Sequence, residues 1–177
     1  GTNFTIIYFG LKMRFNKILK NDEFKWYITS IFFVVLILTT YHSMSNNISL
    51  LKSFREICFQ VVSIITTTGF STADYTLWGS FMSFVFFLFL FSGASAGSTS
   101  GGIKIVRIIL LIKNGLLEFK RRLHPKAVIP VILNGSSISN QVTYNLLAFI
   151  FLYLFVFAIG SIFLAGLGID IITSISA

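Results

Sequence analysis

The sequence predicts an all-α polytopic membrane protein made of repeated units, each a span, a re-entrant helix, a polar turn and a second span. Three observations carry this prediction. The 177 residues are 55% hydrophobic and only 11% charged, whereas a soluble domain carries about 25% charged residues. The basic residues cluster beside apolar stretches, as they do in membrane proteins. Polar segments with glycine interrupt the apolar pattern at residues 66–70 and 92–102.

The net charge of +8 is explained by membrane flanks rather than by a nucleic-acid surface. Residues 12–25 and 104–126 hold twelve of the fourteen Lys and Arg. With both ranges on the inner side, successive spans alternate in direction without contradiction. No basic and aromatic platform interrupts the apolar segments, so we expect no nucleic-acid binding.

The first complete unit begins with a short span. Residues 1–11 are the expected end of a preceding span, and residues 26–41 form an apolar run bracketed by aromatic side chains. At 1.5 Å per residue this run reaches about 24 Å, which is less than a bilayer core of roughly 30 Å. Its basic flank is expected to extend it by snorkelling.

Residues 50–65 predict a helix that enters the membrane without crossing it. Asn46, Asn47 and Ser49 are N-cap candidates at its start. Four side chains make the segment too polar to span: Lys52, Arg55, Glu56 and Gln60. The predicted helix leads directly into residues 66–70, TTTGF, which we call the threonine turn.

A second span is predicted to be broken near its middle. Residues 77–91 and 103–117 are apolar, and SGASAGSTSGG lies between them; we call its residues 93–102 the Gly/Ser loop. Non-helical backbone at membrane depth is tolerated only where it is buried or lines a watery cavity. A basic cluster then follows, and residues 146–167 are the clearest complete span. The cluster consists of Lys120, Arg121, Arg122 and Lys126.

The sequence at the end of the chain resembles part of the first unit. Aligning Ser63 with Ser176 places similar apolar residues at matching positions after a span. Asp170 is then the expected cap of a second re-entrant helix. A second threonine-like turn is expected about two residues beyond Ala177 in this register. The order of elements is typical of repeated transport units.

The threonine turn follows the negative end of a helix dipole, where a cation is favoured. Gly69 allows backbone carbonyls to face one direction, and rings of such carbonyls can replace the hydration shell of K⁺. No acidic residue lies in the turn, which argues against a Ca²⁺ or Mg²⁺ cage. An external Thr-rich turn is the alternative. The preceding helix and the broken span favour the cation site.

The segment TTTGFSTADY followed by SGASAGSTSGGIKIVR closely resembles the Trk/Ktr family of bacterial potassium-uptake proteins, and the initial GTNF is also in character. The family has four potassium-channel-like units around one pore. This chain resembles the third unit and the opening of the fourth, as a C-terminal fragment of a longer protein. The implied division is residues 1–20 as the end of the preceding unit, 21–126 as the third unit and 127–177 as the fourth.

The resemblance implies a role for each segment. The carbonyls of Thr67, Thr68, Gly69 and Phe70 would form this unit's quarter of a K⁺ selectivity filter, and Lys104 would support a gate. The gate itself would be the Gly/Ser loop, made of Gly93, Ala94, Ser95, Ala96, Gly97, Ser98, Thr99, Ser100, Gly101 and Gly102.

The resemblance also implies the surroundings of the protein. K⁺ would be the transported ion, and no covalently bound cofactor and no enzymatic step are expected. The expected partners are the lipid bilayer of the bacterial inner membrane, a cytosolic nucleotide-binding regulatory subunit and a second copy in a homodimer. Whether transport is channel-like or coupled to H⁺ or Na⁺ stays open.

Two rival functions were weighed. A two-span potassium channel subunit would assemble as a tetramer, but its filter usually contains two glycines where this turn has Gly69 alone. An intramembrane serine protease is suggested by the G-x-S-x-G pattern around Ser95. That chemistry needs a nearby base, and His42 and His124 both lie outside the predicted membrane helices. Asp74 either attracts cations at the pore mouth or caps the following helix.

Overall fold

The computed structural model describes residues 1–124 and 129–176, and this part of the chain is mostly helical. It contains helices α1 to α8, a 3₁₀ turn at Tyr75–Trp78 and one β-hairpin. The helices are Phe4–Leu11, Phe15–Leu19, Asp22–Asn46, Leu50–Ile65, Ser80–Leu90, Ile105–Leu123, Asn140–Gly166 and Ile171–Ser176. The strands β1 and β2 are Val131–Leu133 and Ser136–Ile138. Two compact units, Gly1–Ile109 and Leu110–Ala177, divide the chain within α6.

Two helices of the described residues are long and apolar enough to cross a membrane. They are α3, with a mean hydropathy of 1.6, and Gln141–Gly166 of α7, with a mean hydropathy of 2.7. The predicted short first span is wrong in length, because α3 has 25 residues and reaches about 38 Å. Asn21 begins the helix earlier than its apolar run, since its side chain accepts a hydrogen bond from the Phe24 N–H at 2.9 Å.

Helix α4 has the predicted bounds and packs one face against α3. Its buried side chains recur at helical spacing, and Ile57 and Val61 are both fully buried. The facing stripe of α3 includes Val35 and Leu38, which are also buried. The two apolar stripes determine which face of α4 packs against α3. They therefore also determine where the C-terminal end of α4 lies.

A buried polar network joins the same two helices. The hydroxyl of Ser53 donates to the Thr39 carbonyl at 3.0 Å and lies 3.1 Å from Nδ1 of His42. Because the hydroxyl proton is used by Thr39, the His42 ring carries its own proton on Nδ1. Both Ser53 and His42 are fully buried.

The predicted N-caps of α4 are mostly wrong. Asn46 still belongs to α3, and Asn47 ends that helix in the left-handed conformation, with φ of 51°. Ser49 occupies the N-cap position, but its side chain makes no capping hydrogen bond. The polar residues therefore terminate α3 rather than initiate α4.

The predicted break between two helical halves is present. Helix α5 ends at Leu90 and α6 begins at Ile105. The basic cluster was expected to follow the helix, but Lys120, Arg121 and Arg122 lie in its last turn, where cations favour the negative helix end. Lys126 lies outside the described residues.

The hairpin corrects the all-α prediction. Strands β1 and β2 pair antiparallel, and the turn residues Asn134 and Gly135 have φ of 49° and 77°. This left-handed pair is typical of a two-residue hairpin turn, for which Asn-Gly is the preferred sequence. Within the second unit, Lys113 Nζ donates to the Ile132 carbonyl at 2.9 Å, and Arg121 donates to the Ile129 carbonyl at 2.7 Å.

Helix α8 begins immediately after Asp170. The Ser174 N–H and hydroxyl both donate to the Asp170 backbone carbonyl, at 2.8 and 2.9 Å. The register that aligns Ser63 with Ser176 places the start of α8 opposite Cys58, inside α4. The two helices therefore begin at different positions of the repeat.

We expect Ser53→Ala to lower the free energy of unfolding by about 1–3 kcal/mol, because it leaves His42 Nδ1 without a partner in a buried site and removes the side-chain bond to the Thr39 carbonyl. Ser45→Ala is the control, since Ser45 is an exposed serine near the end of α3. The denaturation midpoint of the full-length protein in detergent measures both. Equal midpoints for the two variants would contradict the network's contribution.

Candidate functional site

The threonine turn is built by the way α4 ends. The Thr67 N–H donates to the Ile64 carbonyl and the Thr68 N–H to the Ser63 carbonyl, each at 3.0 Å. These two bonds form a Schellman motif, which satisfies the last carbonyls of a helix and turns the chain away from its axis. The chain therefore turns away from the helix axis at Thr66 and Thr67 rather than continuing the helix.

The turn has two residues in the left-handed region. Thr67 has φ of 55° and Gly69 has φ of 77°. Glycine adopts this conformation at no steric cost, but a β-branched residue there is an outlier. Such strain costs roughly 1–3 kcal/mol and persists only where the surroundings enforce it. A Cβ on Gly69 would meet nothing within 4 Å, so backbone conformation alone favours glycine.

The carbonyl oxygens of the turn differ in their hydrogen bonding. Among residues 1–124 and 129–176, no donor contacts the carbonyls of Thr67, Thr68 or Gly69. The Phe70 carbonyl accepts a bond from the Ser63 hydroxyl at 2.5 Å. Three of the four predicted filter carbonyls are thus free of protein donors in the described chain, and the fourth keeps one lone pair.

The surroundings of the turn favour a cation. The negative end of the α4 dipole lies directly before it. Residues 67–72 are exposed, and a cavity of about 1240 Å³ in the first unit is lined by Thr66, Thr68 and Phe70, among others.

Asp74 has the capping geometry that was one of its two expected roles. Its carboxylate accepts from the Thr76 hydroxyl at 2.6 Å and from the Thr76 N–H at 3.0 Å. These two bonds, the hydroxyl first, hold the pKa of Asp74 below its usual value. The exposed carboxylate therefore stays ionised to a lower pH than an ordinary aspartate.

The Gly/Ser loop is a closed and internally bonded structure. The Gly93 N–H donates to the Ile103 carbonyl at 2.8 Å, and the Ile105 N–H donates to the Ala94 carbonyl at 3.1 Å. A Cβ on Gly93 would overlap the carbonyl oxygen of Gly101. Gly93 is needed at this position because two backbone segments touch there.

Lys104 lies at the base of the loop and contacts its carbonyls. Its ammonium donates to the Ser98 carbonyl at 3.2 Å, to the Ser100 carbonyl, and to the Ser100 hydroxyl at 3.3 Å. The Lys104 ammonium is therefore paired with polar groups of the loop.

The structure brings the threonine turn and the Gly/Ser loop into contact. The Gly101 N–H donates to Thr67 Oγ1 at 3.0 Å, across 34 residues of sequence. The strained Thr67 therefore has a second function beyond ending α4, because its hydroxyl binds the loop. Lys104 contacts the loop side of this arrangement, through Ser98 and Ser100.

The loop also makes contacts that sequence reasoning missed. The Ser95 N–H donates to the Gly1 carbonyl at 3.1 Å. The Ala96 N–H donates to the carboxylate of Glu23 at 2.5 Å. A carboxylate within a basic stretch, two residues after the N-cap Asn21, was the available signal for Glu23.

The serine of the protease-like pattern is not exposed. Ser95 is fully buried, and its hydroxyl has no hydrogen-bond partner in the described chain. Nδ1 of His42 instead contacts Ser53.

The described chain is mostly helical, and two of its helices are long and apolar enough to cross a membrane. The profile of the TrkH family, described as a cation transport protein, matches residues 22–176. The chain therefore belongs to the TrkH family.

Named relatives agree with this assignment. The Trk system potassium uptake protein TrkH of Halomonas elongata is 35% identical over 131 residues, covering 74% of this chain and 27% of its own length. TrkH of Escherichia coli is 33% identical over 174 residues, covering 96% and 36%. The crystal structure of the potassium transporter TrkH from Vibrio parahaemolyticus matches with a TM-score of 0.90 at 30% identity, covering 98% of this chain and 38% of that one. This chain spans about a third of the length of these relatives.

We expect Thr67→Val to free the loop amide, because valine has no oxygen to accept the Gly101 N–H. Hydrogen–deuterium exchange of a peptide covering residues 93–102 in the full-length protein should accelerate roughly two- to tenfold, as expected for the loss of one hydrogen bond. Thr67→Ser keeps the hydroxyl and is the control. Equal exchange in both variants would show that the bond does not hold the loop.

Proposed function

We propose that the protein is the pore-forming subunit of a Trk-type K⁺ uptake system and moves K⁺ across a membrane without covalent chemistry. The observation that carries the proposal is the end of α4, where the carbonyls of Thr67, Thr68 and Gly69 have no protein donor in the described chain. Membership of the TrkH family and the names of the relatives support the same substrate.

The threonine turn is proposed as one quarter of the selectivity filter. Backbone carbonyls replace the hydration shell of K⁺ when several converge on one ion. Thr67, Thr68, Gly69 and Phe70 supply four such oxygens, and Phe70 does so while its other lone pair accepts from Ser63. The α4 dipole adds a favourable field without a carboxylate, which suits a monovalent ion that must also leave.

The Gly/Ser loop is proposed as the gate, with Lys104 as its support. The loop interrupts the helical halves α5 and α6 and contacts the proposed filter through Thr67 and Gly101. A segment that touches the filter from this position is well placed to obstruct an ion leaving it. Lys104 stabilises the loop by donating to its carbonyls.

The architecture is proposed as four related units around one pore. Residues 21–126 would be the third unit, after the linker 1–20, and residues 127–177 would begin the fourth. In this proposal α4 and α8 are re-entrant pore helices, and the fourth filter turn follows Ala177. A tetramer of identical two-span subunits is less well supported, because α7 is a further membrane-length helix of the same chain and differs in sequence from α3.

The surroundings of the pore are proposed from the family resemblance. The full-length protein would lie in a bacterial inner membrane, with α3 and α7 as spans. It would form a homodimer and bind a cytosolic nucleotide-binding regulatory subunit.

We expect Gly69→Ala to weaken selectivity for K⁺ over Na⁺. Alanine in the left-handed conformation costs about 1–2 kcal/mol, and relieving this strain by moving the carbonyls would lower the K⁺/Na⁺ ratio roughly five- to thirtyfold. Ion flux through the full-length protein in proteoliposomes measures the ratio. Gly115→Ala is the control, because Gly115 lies in α6 with open space for a Cβ. An unchanged ratio in Gly69→Ala would count against the filter assignment.

We expect shortening of residues 93–102 to raise K⁺ flux, because the obstruction below the filter is removed. The same proteoliposome assay measures the flux, and the K⁺/Na⁺ ratio serves as an internal control, since the filter sequence is untouched. Flux equal to that of the unaltered protein would remove the gating role from the loop.

A further inference from the structure

Glu23 is a buried carboxylate in the second position of α3. It is 6% exposed, although the neighbouring sequence is basic and polar. Glutamate is almost never this buried unless it is paired, because removing its charge from water is costly. The position therefore needs a partner within the protein.

The partner is the backbone of the Gly/Ser loop. Oε1 of Glu23 accepts the Ala96 N–H at 2.5 Å, a contact between residues 73 positions apart in sequence. A hydrogen bond from an N–H to a carboxylate is shorter and stronger than one between neutral groups. Within the described part of the chain, this side-chain hydrogen bond joins α3 to the Gly/Ser loop.

A charge of the opposite sign contacts the loop as well. Lys104 donates to the carbonyls of Ser98 and Ser100, and its charge is close enough to act on the Glu23 carboxylate. The carboxylate thus binds a loop N–H while the ammonium binds loop carbonyls. Each backbone dipole is matched by the charge that stabilises it.

We propose that Glu23 is a positioning residue that latches the Gly/Ser loop in its obstructing conformation. The latch rests on the proposed gating function of the loop and adds a residue from a different helix to it. When the loop moves away, Glu23 loses its donor while its charge stays buried. Release therefore requires water or a cation to reach the carboxylate, so loop movement and hydration of this site occur together.

The test uses two substitutions in the full-length protein. Glu23→Ala removes the acceptor, and Glu23→Gln keeps an oxygen acceptor but removes the charge. Glu118→Gln is the matched control, because Glu118 is exposed and forms an ion pair with Arg121 on the surface of α6, where such pairs contribute little.

Loop release is measured by labelling of a buried cysteine. Ser95→Cys, in a background where Cys58 and any other cysteine of the full chain are replaced, places a thiol at a fully buried loop position. We expect Glu23→Ala to accelerate labelling by a thiol reagent roughly ten- to hundredfold, as expected for loss of a charged hydrogen bond. Glu23→Gln should accelerate it less, and Glu118→Gln should not. K⁺ flux in proteoliposomes should rise in the same order.

The outcomes separate the latch from the gate. Unchanged labelling and flux in both Glu23 variants, with higher flux in the shortened loop, would overturn the latch and leave the gate in place. Unchanged flux in the shortened loop would overturn the gate itself. Faster labelling with lower flux would show that Glu23 supports the fold of the pore rather than its closure. If Glu23→Ala does not fold, the near-isosteric Glu23→Gln decides between these outcomes.

Discussion

The left-handed backbone at Thr67 is the constraint on which the rest of the site depends. It ends α4 through two backbone hydrogen bonds, and it turns the following carbonyls away from protein donors. It also aims the threonine hydroxyl at the amide of Gly101. A β-branched residue would avoid this conformation in isolation, at a cost of roughly 1–3 kcal/mol. The strain is therefore held by the seating of α4 and by the bonds that the turn makes.

The seating of α4 depends on its interface with α3. Apolar side chains such as Ile57 and Val61 fill the interface. Ser53 adds directional hydrogen bonds from α4 to Thr39 and His42 of α3. Apolar contacts alone permit small rotations of a helix, whereas hydrogen bonds between buried polar groups are directional and favour one arrangement. The orientation of the threonine turn is thus set about three helical turns away from it.

The sequence predicted the local parts of this arrangement well and the distant contacts poorly. The bounds of α4 were predicted because its apolar spacing and its threonine-rich end are local signals. The length of α3 was missed because polar helix ends lower hydropathy without ending the helix. The hairpin was missed although Asn134 and Gly135 are a strong turn signal, since a membrane fold was expected to be helical throughout. Glu23 was not found because its partner lies 73 residues further along the chain.

The contacts that reach the loop from Glu23 and Thr67 both end on main-chain amides, those of Ala96 and Gly101. Nearly all amino acids have a backbone N–H, so the residues at these two positions can be substituted without losing either hydrogen bond. An imino acid is the exception, because proline has no N–H to donate. The hydrogen bonds that hold the loop are therefore made by its backbone, and an alanine scan of the loop would not detect them.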